Sequence, residues 1–168
     1  SYMPLMIKAA SLALSKYPTL NATVRMSNGT VTEKVIRGSH NIGVAVDSPR
    51  GLVVPNIKNV QDLSIFDVAS ELSRLLDSAR AGKVSEADLS DGTFTLSNIG
   101  AIGGTYMGPV IFHPQVAIGA LGKVTPGPRY DADGNLVRRH IMQVSWAGDH
   151  RVVDGATMAR FSNEWKQY

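Results

Sequence analysis

The sequence contains no cysteine among its 168 residues. This absence excludes disulfides, thiolate metal sites and a cysteine nucleophile together, and it favours a reducing compartment. Long apolar runs are also missing, since none approaches the roughly 20 residues that a membrane-spanning helix needs. The longest run, residues 116–121, has the length of a buried strand. We therefore expect no membrane partner.

Runs of like charge are equally scarce. The 17 Lys and Arg residues and 14 Asp and Glu residues give a net charge of +3, and the basic residues are scattered along the chain. A nucleic-acid footprint needs a basic cluster, so we expect no nucleic-acid partner. A small polyphosphate ligand suits this mild positive charge equally well. The length and the 43% hydrophobic content are typical of one domain with a sizeable core.

Three familiar site motifs are absent. There is no G-x-S-x-G nucleophile elbow, and the glycines at residues 100–104 fit neither a phosphate-binding loop nor the dinucleotide fingerprint. The four histidines have no metal-ligand spacing with one another; they are His40, His113, His140 and His150. We therefore expect no metal site.

Hydrophobic periodicity predicts three helices, over residues 4–17, over 64–81 and from 155 onward. Asn28-Gly29 between two β-forming runs predicts a hairpin. The predicted strands cover residues 21–26, 31–36, 42–47, 52–54, 93–96, 115–121 and 136–146. These elements predict an α+β domain with a mixed β-sheet flanked by helices.

Both ends of the sequence lie close to structured segments. Residues 1–3 run directly into a helical pattern, and residues 165–168 carry no helix-stop signal. This suggests that the 168 residues are one domain of a longer polypeptide, incomplete at both ends.

The segment 149–155, Asp-His-Arg-Val-Val-Asp-Gly, places a histidine between a strand pattern and a helix pattern. Histidine accepts and returns protons near neutral pH because its unperturbed pKa is about 6.5. A lone His150 and Asp154 would more commonly be a buried, satisfied histidine beside a surface carboxylate. Ser97, at a predicted strand end, would more commonly bond its own backbone.

Taken together, two segments identify a family. Segments 149–155 and 92–100 resemble the catalytic domain of the dihydrolipoyl acyltransferases of 2-oxo acid dehydrogenase complexes, and the branched-chain members are the most similar. His-x-x-x-Asp-Gly alone is shared with chloramphenicol acetyltransferase and peptide-synthetase condensation domains. The likeness extends over all 168 residues, including segments 39–45, 51–55, 103–105, 109–111 and 116–122.

The resemblance implies a chloramphenicol acetyltransferase-like fold and a homotrimer that assembles into a 24- or 60-subunit core. It implies an active-site channel between subunits and a parent chain with lipoyl and subunit-binding domains. Through the latter domain, the core would hold decarboxylase and dihydrolipoamide dehydrogenase partners. The expected location is the mitochondrial matrix, or the cytoplasm for a bacterial protein.

The implied reaction transfers a branched-chain acyl group from dihydrolipoamide to coenzyme A (CoA). His150 would be the base, Ser97 the oxyanion donor, and Asp154 an orienting or structural carboxylate. The implied CoA contacts are Ser1, Asp47, Asn98 and Gly122, although Asp47 could equally be a turn-forming residue. The lipoyl group would come from a separate domain. Two alternatives remain: an acetyltransferase core of a pyruvate dehydrogenase complex, and a non-catalytic structural core.

Overall fold

The computed structural model describes residues 1–49 and 51–168. The α-helices in this part of the chain are α1 (Met3–Lys16), α2 (Ile65–Arg80), α3 (Glu86–Leu89) and α4 (Gly155–Trp165). The strands are β1 (Ala22–Ser27), β2 (Thr30–Ile36), β3 (Ile42–Ser48), β4 (Gly51–Val53), β5 (Asn56–Ile57), β6 (Phe94–Asn98), β7 (Ala117–Leu121), β8 (Thr125–Tyr130), β9 (Leu136–Ile141) and β10 (Val144–Gly148).

A mixed sheet forms the centre of the domain, with strand order β10-β7-β6-β3-β4. Strands β3, β6 and β7 are parallel, whereas β10 is antiparallel to β7. Strands β4 and β5 pair antiparallel with successive parts of β3. The predicted α+β class with a mixed sheet is therefore confirmed.

An aromatic cluster joins one face of this sheet to helices α1 and α4. The ring of Trp146 lies 5.1 Å from that of Phe161 and 5.6 Å from that of Trp165, in edge-to-face geometry. Phe94 packs against Phe161, with ring centroids 5.7 Å apart. The Trp146 indole also donates to Ser162 Oγ at 2.9 Å. This packing fixes β10 and α4, which flank the segment carrying His150.

Helix α2 begins where the sequence predicts. Ser64 Oγ accepts the Asp67 amide, and the Asp67 carboxylate accepts the Ser64 amide, so the predicted capping box is present. Its buried residues recur at helical spacing and form one apolar face: Val68, Leu72, Leu75 and Ala79.

The two hairpins lie outside the central sheet. In the β1–β2 hairpin, Asn28 and Gly29 both have positive φ, at 49° and 77°, as the Asn-Gly signal predicts. Of the β8–β9 hairpin, only β9 was predicted. Strand β8 was missed because Pro126 and Pro128 lack amide donors, which argues against a strand. The short helix α3 also escaped prediction.

The predicted long strand over residues 136–146 is wrong in one respect: it is two strands. Ile141 ends β9, which pairs with β8, and Val144 starts β10, which pairs with β7. Between them, Gln143 O accepts the Gly122 amide at 2.8 Å. The chain therefore changes pairing partner at residues 142–143, which hydrophobic alternation does not reveal. No helix in the described residues is long and apolar enough to cross a membrane.

Candidate active site

His150 lies in a tight turn between β10 and α4. The Asp149 amide donates to Val116 O at 2.8 Å, which fastens the turn to the amino end of β7. The amides of Val152 and Val153 both donate to Asp149 O and close the turn. His150 is exposed at its tip, whereas Val153 is buried. The alternative of a buried, satisfied histidine is therefore wrong.

Asp154 is the N-cap of α4. One carboxylate oxygen accepts the Thr157 amide and the other accepts the Thr157 hydroxyl, each at 2.8 Å. These bonds, the amide first, hold the pKa of Asp154 below its usual range. Asp154 thus caps the helix that follows the His150 turn.

The arginine of the motif pairs with Asp149 and not with Asp154. Arg151 Nη2 lies 2.6 Å from Asp149 Oδ2, and Arg151 Nε lies 2.9 Å from Asp149 Oδ1. This side-chain contact, followed by the Arg151 backbone amide, lowers the pKa of Asp149. Among the described residues, no arginine forms an ion pair with Asp154.

Ser97 lies near the carboxyl end of β6, between Ala45 of β3 and Ala120 of β7. Side chains alternate between faces along a strand, so Ser97 points away from the face where Leu96 packs against Trp146 and Gly119. Its neighbours on the second face are small: Ala45, Ala120 and Ser145. Ser97 is partly exposed, and its hydroxyl makes no hydrogen bond within the described chain.

The strand register separates Ser97 from His150 within one chain. Ser97 is level with Ala120, whereas Gly148 is level with Ala117 and His150 lies two residues farther on. With about 3.3 Å per residue and about 4.8 Å between strands, the two Cα atoms are about 15 Å apart or more. The predicted base and oxyanion donor therefore lie toward opposite ends of one sheet.

Three of the four predicted CoA contacts line a single cavity of about 220 Å³. Ser1 enters it from the segment before α1, Asn98 from the end of β6, and Gly122 from the end of β7. Asn98 Oδ1 also accepts the Ala101 amide at 3.3 Å, which caps the 3₁₀ turn after β6. The cavity lies at the carboxyl ends of β6 and β7, and Ser97 directly precedes Asn98 in the chain without lining the cavity.

Glycine is required where this cavity forms, because two backbone segments approach closely. A Cβ on Gly100 would lie 2.5 Å from Gly122 O, and one on Gly122 would lie 2.3 Å from Thr105 O. Only glycine allows such an approach. Gly100 therefore allows the segment after β6 to pack against the end of β7.

Asp47 lies outside this cavity. It is an exposed residue of β3, paired with Leu52 of β4, and therefore belongs to a strand and not to the following turn. It lies two residues beyond Ala45, so its side chain shares the face of Ser97. The structure thus places Asp47 at the same end of the sheet as the cavity, without bringing it into the cavity wall.

Several cavity residues escaped sequence reasoning. They include Tyr2, Met3, Met6, Lys123 and Met142. Lys123 directly follows the predicted Gly122, but Met142 reaches the cavity only because the chain changes strand there. No cluster of three or more His, Asp or Glu side chains able to hold a metal ion occurs in the described part of the chain.

All of residues 1–168 match the family described as 2-oxoacid dehydrogenases acyltransferase (catalytic domain). The chain belongs to this family. A Caenorhabditis elegans relative, the mitochondrial lipoamide acyltransferase component of branched-chain alpha-keto acid dehydrogenase complex, is 59% identical over 168 residues. The match covers 100% of this chain and 37% of the relative, so the chain spans about a third of its length. A Mycoplasma capricolum relative, the dihydrolipoyllysine-residue acetyltransferase component of pyruvate dehydrogenase complex, is 37% identical over 168 residues, covering 100% of this chain and 37% of its own length.

Solved structures agree with this family membership. The cubic core of the pyruvate dehydrogenase multienzyme complex superposes with a TM-score of 0.91 and 33% identity, covering 99% of this chain and 67% of that one. A chloramphenicol acetyltransferase superposes with a TM-score of 0.64 and 13% identity, covering 99% and 77%. The latter likeness confirms the predicted chloramphenicol acetyltransferase-like fold.

Proposed function

We propose that this acyltransferase domain moves branched-chain acyl groups from dihydrolipoamide to CoA as the core of a branched-chain 2-oxo acid dehydrogenase complex. The observation that carries the proposal is the 59% identity to the branched-chain relative along the whole chain. Identity to the pyruvate-complex acetyltransferase is 37% over the same length. The substrates are isobutyryl, isovaleryl and 2-methylbutyryl thioesters.

The exposed imidazole of His150 suits the role of base. A thiol with a pKa near 8.5 is mostly protonated at pH 7, and the mismatch with an imidazole near 6.5 is about 2.7 kcal/mol. A positioned base can overcome a difference of this size. His150 takes the thiol proton of CoA, the thiolate attacks the thioester carbonyl, and a tetrahedral oxyanion forms. When the carbon–sulfur bond to the dihydrolipoyl group breaks, that sulfur receives the proton back from His150.

Ser97 supplies the donor for the oxyanion. Ser97 is partly exposed, its hydroxyl makes no hydrogen bond within the described residues, and it directly precedes Asn98 of the proposed CoA cavity. One preorganised donor is typically worth a factor of 10²–10³ in rate. Ser1, Asn98 and Gly122 hold part of CoA, since 220 Å³ is smaller than most cofactor pockets. Asp47 contacts CoA outside this cavity, on the sheet face that carries Ser97.

The register supports a site built by two chains. Base and donor must both reach one carbonyl group, which a separation of about 15 Å within a chain does not allow. In a cyclic trimer, the His150 turn of one subunit meets the Ser97 face of the next. Trimers then build a 24-subunit core like the cubic neighbour, or a 60-subunit one. Asp154 supports the helix after His150 and does not touch the substrate.

The cellular setting follows from the relatives. The mitochondrial branched-chain relative favours the mitochondrial matrix, and its name as a complex component favours decarboxylase and dihydrolipoamide dehydrogenase partners. Both would bind through a subunit-binding domain of a longer parent chain, which would also carry the lipoyl group.

A substrate panel tests the proposal. The reaction is followed in the reverse direction: the domain is incubated with free dihydrolipoamide and, in turn, with isobutyryl-, isovaleryl-, 2-methylbutyryl- and acetyl-CoA as acyl donors. The value of kcat/KM is measured for each donor. We expect the three branched donors to exceed acetyl-CoA. A preference for acetyl-CoA would instead support the pyruvate-complex alternative, and the absence of transfer from any donor would support a non-catalytic core.

A further inference from the structure

Asp149 organises the turn that carries His150. Its amide bonds Val116 O at 2.8 Å, and its carbonyl accepts the amides of Val152 and Val153 at 2.9 and 2.8 Å. Its side chain accepts a third amide, that of Arg151, at 3.1 Å. Every polar group of Asp149 is therefore used to shape the turn, although the family resemblance assigns it no role.

Arg151 completes the arrangement with a two-pronged contact. Its Nε and Nη2 donate to the two oxygens of the Asp149 carboxylate at 2.9 and 2.6 Å. The Asp149 side chain is only 13% exposed. Arg151 Nη1 also lies 3.4 Å from Met26 Sδ, which links the turn to β1. A bidentate pair has a fixed geometry that an ordinary surface pair lacks.

The pair brackets the base in the sequence, with one charge on either side of His150. Because the charges are opposite and in contact, their fields at His150 largely cancel. Removing either partner leaves an uncompensated charge beside the imidazole. Among the described groups, His113 is the other titratable side chain whose charge acts on Asp149.

We propose that Asp149 and Arg151 form a positioning pair for His150. The ion pair closes the turn so that the imidazole stands in a fixed orientation, and it keeps the surroundings of the base electrically balanced. Neither residue touches the substrate. This inference rests on the proposed acyl transfer, in which His150 is the base.

The test uses Asp149→Asn, Arg151→Gln, the double variant, and the conservative Arg151→Lys, all in the assembled protein. Acyl transfer is measured as kcat and KM across pH. In parallel, carbethoxylation of His150 by diethyl pyrocarbonate is followed by mass spectrometry across pH, which needs no turnover. Native mass and circular dichroism verify assembly and folding.

We expect each charge-removing single variant to lose at least about tenfold in kcat, with KM for CoA nearly unchanged, because the base is misplaced. In Asp149→Asn, the remaining Arg151 charge disfavours protonation of His150. The acid limbs of the kcat and carbethoxylation profiles therefore move to lower pH by roughly half a unit. In Arg151→Gln, the remaining Asp149 carboxylate favours protonation of His150, so the acid limbs of both pH profiles move to higher pH by a similar amount. In the double variant, the acid limbs return toward their wild-type pH while kcat stays low.

Arg151→Lys keeps the positive charge but loses the two-pronged contact. The acid limbs of its pH profiles should therefore stay at the wild-type pH, and its kcat should fall less than that of Arg151→Gln. The proposal is overturned if either charge-removing single variant retains kcat within twofold, or if their limbs move together or not at all. If Asp149→Asn does not assemble, Arg151→Gln and Arg151→Lys still compare a variant without the positive charge with a variant that keeps it. A wild-type domain without acyl transfer would defeat the proposed function, whereas the carbethoxylation profiles would still test the pair.

Discussion

At the scale of single residues, Ser97 and His150 differ in what their loss should do. Ser97→Ala removes the proposed oxyanion donor, so kcat should fall by roughly 10²-fold or more with little change in KM. His150→Ala should abolish transfer with assembly preserved, because it removes the proposed base. His140, an exposed histidine on β9, offers a matched control in His140→Ala. Near-normal turnover of His150→Ala would contradict the mechanism.

Substitutions at Asp154 can separate its role as the N-cap of α4 from a role of its charge in turnover. Asp154→Ala should lower the urea midpoint of unfolding, because both bonds to Thr157 are lost. Asp154→Asn and Asp154→Ser should largely preserve it, because both residues are good N-caps. If turnover follows the urea midpoint across the three variants, the carboxylate acts through the helix. A loss of turnover in a stable Asp154→Asn variant would show that the charge itself is needed.

At the scale of elements, the contact of β7 with β10 depends on Gly119. A Cβ at this position would lie 2.3 Å from the Trp146 ring and 2.9 Å from Leu96. The indole cannot retreat easily, because it bonds Ser162 and packs against Phe161. We expect Gly119→Ala to destabilise the domain by about 1–3 kcal/mol in urea unfolding, as overpacking does.

Gly38→Ala is the matched control for Gly119→Ala, since a Cβ at Gly38 would meet nothing within 4 Å. Equal effects of the two substitutions would mean that the Trp146 contact is not what makes glycine necessary at position 119.

Helix α1 is attached through a buried polar contact that should respond to pH. Ser11 Oγ lies 2.8 Å from His40 Nδ1, and Lys8 Nζ donates to the carbonyls of Val60, Gln61 and Leu63. Burial, and secondly the charge of Lys8, lowers the pKa of His40 below that of the unfolded chain. The unfolded state therefore binds more protons than the folded state once the pH falls below about 7, so stability decreases on acidification.

His40→Asn should reduce this loss of stability, because it removes the titrating ring and keeps a polar group near Ser11. Urea midpoints at about pH 7.5 and pH 5.5 measure the effect, and His140→Asn controls for an exposed histidine. An undiminished pH dependence in His40→Asn would assign the acid sensitivity to other groups.

The elements that could be predicted are those encoded by neighbouring residues. The Ser64–Asp67 capping box and the Asn28-Gly29 turn are local signals, and both are confirmed. The division of residues 136–146 into two strands depends on which distant strand each part pairs with, so alternation alone gave the wrong boundary. Strand β8 was missed for a related reason: it pairs with β9 on one side only, and prolines are tolerated on such an edge strand because its outer edge needs no amide donors.

For the site, residue types were predictable and distances were not. The convergence of Ser1, Asn98 and Gly122 on one cavity joins three distant parts of the chain, and only the family resemblance suggested it. The contact of Asp149 with Arg151 could have been suspected from their spacing, but its bidentate form depends on the turn. The separation of Ser97 from His150 required the strand register.

At the scale of the whole molecule, that separation predicts complementation between two impaired chains. As separate assemblies, chains carrying His150→Ala should be inactive and chains carrying Ser97→Ala should keep about a hundredth of wild-type kcat or less, since every site lacks one group. When the two are co-expressed in equal amounts, a site between subunits can take Ser97 from one chain and His150 from its neighbour. With random mixing in a cyclic trimer, about a quarter of the sites receive both groups.

Co-expressed hybrids, purified through a different tag on each chain, should therefore show about a third of wild-type kcat as lone trimers, because every mixed trimer has one complete site in three, and about a quarter in a large core. Separately purified assemblies mixed afterwards serve as the control and should gain no activity unless subunits exchange. If base and donor met within one chain, every hybrid site would lack one of them, and co-expression would restore nothing. The measured activity of the hybrid thus decides between a site made by two subunits and a site made by one.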